Sequence, residues 1–225
     1  LKPFDMMEEE DIIIAPNKYK DIQTDAFLIT YENSDDLCKE FNIDKSKIKF
    51  NEPFLLDAIL ALVSKKILFD YIDYEKINSY NIDKHKVEEF NDNKNRLWID
   101  DSKATNIDAT INALKAYEKK DIHIILGGDD KGANIEVLFK YLSTLKIKVY
   151  AIGTNKNSIS NYCNKYNIEC FTCENLEDSV IKIDKNLKKD EVAILSPAAS
   201  SLDEFTSYKQ RGEKFKKLVL DLRLN

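Results

Sequence analysis

Several residue types that would each point to a class of function are scarce or missing. The 225 residues include only four cysteines and two histidines. Cys38 and Cys163 stand alone, while Cys170 and Cys173 form an isolated C-x-x-C with no second pair and no histidine beside it. That spacing argues against a zinc site and for reduced thiols, packed or half exposed. No apolar run approaches the roughly 18 residues of a membrane span, and the start, "LKPFDMMEEED", lacks a basic segment followed by an apolar one. Basic blocks are absent too: 34 Lys+Arg are interspersed with 40 Asp+Glu, for a net charge of −6. A nucleic-acid surface is not expected, and neither is a membrane one. A cytoplasmic location follows as the expectation. Residue 1 is not methionine, which leaves open a longer chain.

What is present is a globular composition with 43% hydrophobic residues, enough for a substantial core. Residues 11–14 ("DIII") and 26–31 ("AFLITY") read as short strands, and Pro53 opens an almost continuously apolar helix, "PFLLDAILALVSKKILF". Residues 71–96 are polar and contain no Gly/Ser linker. A domain boundary is placed among them at about residue 83, giving units 1–83 and 84–225. From residue 97 a regular alternation begins. Strands are expected at "RLWI", "IHIIL", "KVYAI", "IECFT" and "VAIL", and helices at about 107–119, 134–145, 156–165, 175–187 and 203–222. The helices rest on spacing: Ile135, Leu138, Phe139, Leu142 and Leu145 recur on one face, as do Ile107, Ile111 and Leu114. Short apolar strands alternating with such helices imply an α/β fold, a doubly wound, mostly parallel, Rossmann-like sheet preceded by a partial α/β domain.

In open sheets of this kind, ligands lie beyond the carboxyl ends of the strands, near free helix N-termini. The polar clusters occupy those places: "DDSKATN" (100–106), "GGDDKGAN" (127–134), "GTNKNS" (153–158) and "SPAASSLDEF" (196–205). Lys103, Thr105, Lys131, Ser200 and Ser201 are expected to converge there. Asn106 and Asp203 also fit as plain helix caps, worth about 1 kcal/mol each. A lysine just ahead of a helix faces the unfavourable end of the dipole, so Lys103 and Lys131 make sense if an anion lies between them and the helix. Gly127 and Gly128 permit a tight turn with positive φ. The spacing Gly127 to Gly132 is not a nucleotide P-loop, since Ala133 and Asn134 replace the required Lys and Ser/Thr.

The ordered motifs "DDSKATN", "ILGGDDKG" and "LSPAASSLDEFTSYKQRGEKF" resemble the C-terminal domain of the Mur ligase family, and within it the members that add D-glutamate. The resemblance implies a peptidoglycan-precursor enzyme that uses ATP and Mg²⁺ to convert the carboxylate of UDP-N-acetylmuramoyl-L-alanine to an acyl phosphate. The amine of D-glutamate then attacks the acyl carbon. Position by position, Lys103 and Thr105 match residues at the incoming amino acid or the reacting phosphate. Lys131, Ser201, Leu202 and Tyr208 match those that hold D-glutamate, with Tyr208 where the family often has Phe. Asp101 and Asn106 fall on the ATP side, and His85 and Lys86 at the family's His-Arg pair, with Lys replacing Arg and so losing its bidentate fork. No metal ligand is assigned in this chain. The UDP-binding domain and the P-loop have no counterpart in these residues. The resemblance therefore implies the back half of such a ligase, monomeric and inactive alone. Two other readings stand beside it: a related ligase adding a different amino acid, such as a folylpolyglutamate synthetase, and a non-catalytic binding or assembly module that keeps only the α/β fold.

Overall fold

The computed structural model describes residues 7–130, 132 and 134–222. The chain divides between Asn81 and Ile82 into two units.

The first unit carries the parallel pair β1 (Ile12–Pro16) and β2 (Phe27–Tyr31), followed by α1 (Ser34–Glu40), α2 (Phe54–Phe69) and α3 (Tyr74–Ser79). Asn33 caps α1 through a full capping box with Asp36, satisfying N–H groups that the helix leaves free. The apolar run 53–69 forms α2 and buries Leu55, Ala58, Ile59, Leu62 and Val63 against Leu37, Ile43 and Ile48. It is not buried all round, because Leu68 and Phe69 at its end are exposed. The short α3 lies in the polar stretch 71–96, to which the sequence pattern assigns no element. Its two packing residues, Tyr74 and Ile77, are too few to register as periodicity, and Asp73 supplies the cap.

The second unit is a six-stranded sheet in the order β3-β4-β8-β5-β6-β7. Its strands are β3 (Glu88–Asn91), β4 (Leu97–Asp100), β5 (Ile122–Gly127), β6 (Ile147–Ile152), β7 (Glu169–Thr172) and β8 (Val192–Leu195). All neighbours pair in parallel except β3, which runs antiparallel to β4. β3 was also not anticipated, since "EEFN" offers a single large apolar residue, Phe90. The crossover helices are α4 (Ile107–Lys115), α5 (Glu136–Leu142), α6 (Lys156–Lys165), α7 (Leu176–Asn186) and α8 (Tyr208–Leu220). Helices α4, α5 and α6 cover one face through Leu114, Phe139, Leu142, Ile159 and Cys163. The other face is covered by α7 and α8 through Val180, Ile183, Phe215 and Val219, packed on Trp98, Ile125 and Tyr150. A sheet buried on both faces needs continuously apolar strands, and β5 and β8 are buried at every position.

The expected helix 203–222 begins later, at Tyr208. Ser207 is its cap, accepting from the Gln210 N–H, whereas the Asp203 carboxylate accepts from the Thr154 N–H at 3.1 Å. Asp203 therefore joins two loops and caps no helix. Asn106 does cap α4, its Oδ1 accepting from the Ala109 N–H at 2.9 Å. The four cysteines are free thiols.

Candidate functional site

Four polar loops leave the carboxyl ends of β4, β5, β6 and β8, and hydrogen bonds stitch them together. The Gly127 N–H donates to Pro197 O at 3.0 Å, and Asp129 and Ser200 exchange two backbone bonds, joining the loop after β5 to the loop after β8. Gly127 and Gly128 have φ of 121° and 144°. A Cβ on Gly127 would stand 2.1 Å from Ile152 O, and one on Gly128 2.1 Å from Ser200 O, so only glycine lets the strand ends approach this closely. Thr154 Oγ1 donates to Gly128 O at 3.0 Å and Asn155 Nδ2 to Asp130 Oδ2 at 3.0 Å, adding the loop after β6. The Ala198 N–H donates to Ala104 O at 3.1 Å, which closes the rim onto the loop after β4.

Arg211, in the first turn of α8, is the buried pin of this rim, with 1% exposure. Its Nε donates to Ser102 Oγ at 3.0 Å and its Nη2 to Ser102 O at 2.9 Å, while Nη1 and Nη2 both donate to Ala199 O at 3.3 Å. Ser102 Oγ in turn donates to Tyr208 O at 2.8 Å. Burial pushes the guanidinium down to about 10, which keeps it charged at neutral pH. Next to it, Gly212 gives His85 room: a Cβ there would fall 2.2 Å from His85 Nδ1. That nitrogen is 2.6 Å from Asp100 Oδ2, and both side chains are buried.

The residues singled out from sequence take distinct positions around this rim. Lys103 is half-buried and its Nζ is 2.7 Å from Asp83 Oδ2. Thr105 is exposed beside it, its N–H donating to Lys103 O at 2.9 Å. Ser201 is buried, with its carbonyl accepting from the Phe205 N–H, and Leu202 is 63% exposed. Tyr208 opens α8, half-buried, with its ring edge toward His85 at a centroid distance of 6.5 Å. Lys86 is half-buried. Lys131 lies outside the described residues. The roles of Arg211, Gly212 and Asp83 had no signal in the sequence beyond the "RG" pair.

Asp101 faces inward, accepting from Ser196 Oγ at 2.6 Å and from the Val87 N–H at 3.2 Å. Burial pushes its carboxyl up to about 7, against the pull of those two hydrogen bonds and with help from the nearby Asp100 charge. A carboxyl whose folded pKa is raised binds its proton more tightly in the folded state, so its contribution to stability falls as pH rises from about 4 to about 7. Asp101→Asn removes that penalty. Between pH 4 and pH 8, stability is expected to shift in the variant's favour by on the order of 2–4 kcal/mol, read from urea unfolding followed by the emission of Trp98. A difference between parent and variant that is the same at both pH values would refute the assignment.

Among the described residues, His85, Glu88 and Asp100 bring three ligand atoms within 4.8 Å of one another. They do not fit Mg²⁺, which takes near-octahedral oxygen ligands. His85 Nδ1 is already committed to Asp100, and Glu88 accepts from Lys216 Nζ at 2.6 Å, so a cation is in place there. Among the described residues, no helix is long and apolar enough to cross a membrane.

A doubly wound sheet with its polar loops gathered at the carboxyl edge defines an open α/β domain, the class of fold in which ligand sites lie along that edge. No family model matches the chain. Curated proteins do match it. UDP-N-acetylmuramoylalanine--D-glutamate ligase of Campylobacter jejuni (strain RM1221) is 46% identical over 95% of this chain and 53% of its own length. The protein of the same name from Helicobacter pylori (strain ATCC 700392 / 26695) is 42% identical over 98% of this chain and 56% of its own. Among solved structures, the MurF ligase of Thermotoga maritima in complex with ADP superposes with a TM-score of 0.51 at 16% identity, covering 76% of this chain and 38% of that one. A murein peptide ligase from Psychrobacter arcticus 273-4 gives 0.52 at 12%, covering 79% and 39%. At those identities the structures speak to the fold alone. The chain belongs to the Mur ligase family. It spans about half the length of the curated relatives it matches.

Proposed function

We propose that this chain forms the back half of an ATP- and Mg²⁺-dependent ligase that joins D-glutamate to UDP-N-acetylmuramoyl-L-alanine in the cytoplasm. Residues 1–83 would belong to the central ATP-binding domain and 84–225 to the domain that receives the amino acid. The observation that carries this reading is 46% identity, sustained over 95% of the chain, to ligases of that name. The rim geometry supports it. A dicarboxylic amino acid brings two negative groups, and an acidic protein must meet them with local donors, which Lys103, Thr105 and the amino-terminal turn of α4 offer on one loop.

In this reading Lys103 and Thr105 lie at the reacting groups, and Lys131, Ser201, Leu202 and Tyr208 hold D-glutamate. Asp101, Asn106, His85 and Lys86 form the side toward ATP. Asp101 acts there by fixing the loop that carries Lys103, since its own carboxylate is spent on Ser196 and Val87. The P-loop and the metal ligands would come from outside these residues, and the ligase would act as a monomer on its two small-molecule substrates, binding neither nucleic acid nor membrane. In the complete ligase carrying this segment, Lys131→Ala is expected to raise the KM for D-glutamate by about tenfold or more, on the order of 1.4 kcal/mol of lost binding. An unchanged KM removes Lys131 from the site. Acceptance of L-glutamate in place of D-glutamate would move the protein to the folylpolyglutamate synthetase reading.

A further inference from the structure

The anion that Lys103 was expected to meet is present, but the chain itself supplies it. Lys103 Nζ is 2.7 Å from Asp83 Oδ2, and Asp83 is 74% exposed at its side chain. This is not a chance surface pair between two free side chains. The segment that carries Asp83 is tied to the Lys103 loop at two points: the Lys103 N–H donates to His85 O at 2.9 Å, and the Val87 N–H donates to Asp101 Oδ1 at 3.2 Å. His85 and Val87 both hold left-handed backbone, with φ of 63° and 49°. For a β-branched residue such as Val87 that conformation is strained, and it persists only where surrounding contacts over-determine it. Here they fold residues 83–87 back over the strand-exit loop.

The charges around Asp83 point the same way. Its hydrogen bond to Lys103, with Lys86 and Lys209 at longer range, holds its carboxyl below the ordinary range. The Tyr208 hydroxyl lies within electrostatic reach of the same ammonium. One lysine in direct contact and two at longer range thus act on one exposed carboxylate, on a protein whose net charge is −6.

We propose that Asp83 is a tethered competitor for the anion subsite of Lys103: its carboxylate occupies the ammonium until a ligand's carboxylate or phosphate group displaces it. The inference rests on the reading of Lys103 as a ligand-binding group. Asp83 then sets the affinity of the subsite without touching the ligand. An exposed ion pair is weak, so displacement is easy, and its removal tightens binding only modestly.

The test is an amide chemical-shift titration of the full 225-residue chain, followed at Lys103, Ala104 and Thr105, with sodium D-glutamate in one arm and inorganic phosphate in the other, at constant ionic strength. Asp83→Asn is expected to lower the Kd for the anion that binds by about two- to fivefold, the size expected for an exposed ion pair. Asp83→Glu keeps a competing carboxylate and is expected to stay near the parent value. Asp190→Asn removes one exposed negative charge next to the amino end of β8 and controls for net charge. Equal tightening by Asp83→Asn and Asp190→Asn, or no tightening by either, overturns the competitor role and leaves the subsite standing. No shift with either anion in parent or variant overturns the subsite reading of Lys103, and the inference with it.

Discussion

Gly212→Ala is expected to destabilise the second unit by about 3 kcal/mol or more, although the same change in an ordinary helix interior stabilises by about 1 kcal/mol. The reversal comes from packing. The new Cβ would stand 2.2 Å from His85 Nδ1 and 2.9 Å from Asp100 Oδ2. Neither neighbour is the free end of a flexible chain: His85 is 3% exposed and Asp100 fully buried. The imidazole has to move, and with it goes the 2.6 Å contact to a carboxylate whose pKa burial already raises. Overpacking of this kind costs about 1–3 kcal/mol, and a buried polar group left without its hydrogen-bond partner about 1–3 kcal/mol more. The protein's single tryptophan reports the result, because Trp98 packs on Phe215 of the same helix at a centroid distance of 5.9 Å. Urea unfolding read by its emission is expected to shift to lower denaturant. In a double-mutant cycle, His85→Ala relieves the clash, so the two substitutions together cost less than their sum. A Gly212→Ala protein as stable as its parent would refute this account of the helix contact.

How far the sequence predicted the architecture depends on whether each element's determinants are local. The strands β5 and β8 were legible because central parallel strands are densely apolar, with His123 the one polar residue between them, and α4 and α5 because Ile107, Ile111 and Leu114, and Ile135, Leu138, Phe139 and Leu142, recur on one face. β3 was not, since its identity comes from pairing with β4 and from Phe90 lying on Phe215, a contact across most of the unit. The start of α8 was misplaced for a related reason. Asp203 has the side chain of a helix cap, yet its carboxylate is taken by the Thr154 amide on the loop after β6, leaving the cap to Ser207. The rim itself was readable from strand-exit positions and from the unfavourable placement of Lys103 ahead of a helix. Asp83 could not be read, because only the left-handed turns at His85 and Val87 bring it to that lysine.

Arg211 was equally invisible as a pin, being 109 residues from Ser102, and its removal is expected to have the other large effect. Arg211→Ala leaves Ser102 O and Ala199 O without the guanidinium, each in a buried site, and an orphaned buried acceptor costs about 1–3 kcal/mol. Removing a buried charge returns part of that cost, because the guanidinium is desolvated and, among the described residues, has no carboxylate in direct contact, Asp203, Asp100 and Glu204 acting only at longer range. The net expectation is a loss of about 2–3 kcal/mol for Arg211→Ala and less for Arg211→Lys, whose ammonium reaches one of the two loops but cannot fork across both. The site of the loss distinguishes a pin from a generic core residue. Amide exchange is expected to speed first at Lys103 and Ser200, whose N–H groups bond across loops to His85 O and Asp129 O, while β5 keeps its protection. Uniform acceleration over the sheet would mean that Arg211 supports the whole core and does not hold the rim. If exchange is confined to the rim, then one guanidinium fixes the spacing between the loop of Lys103 and Thr105 and the loop of Ser201, and with it the geometry of the rim at the carboxyl edge of the sheet.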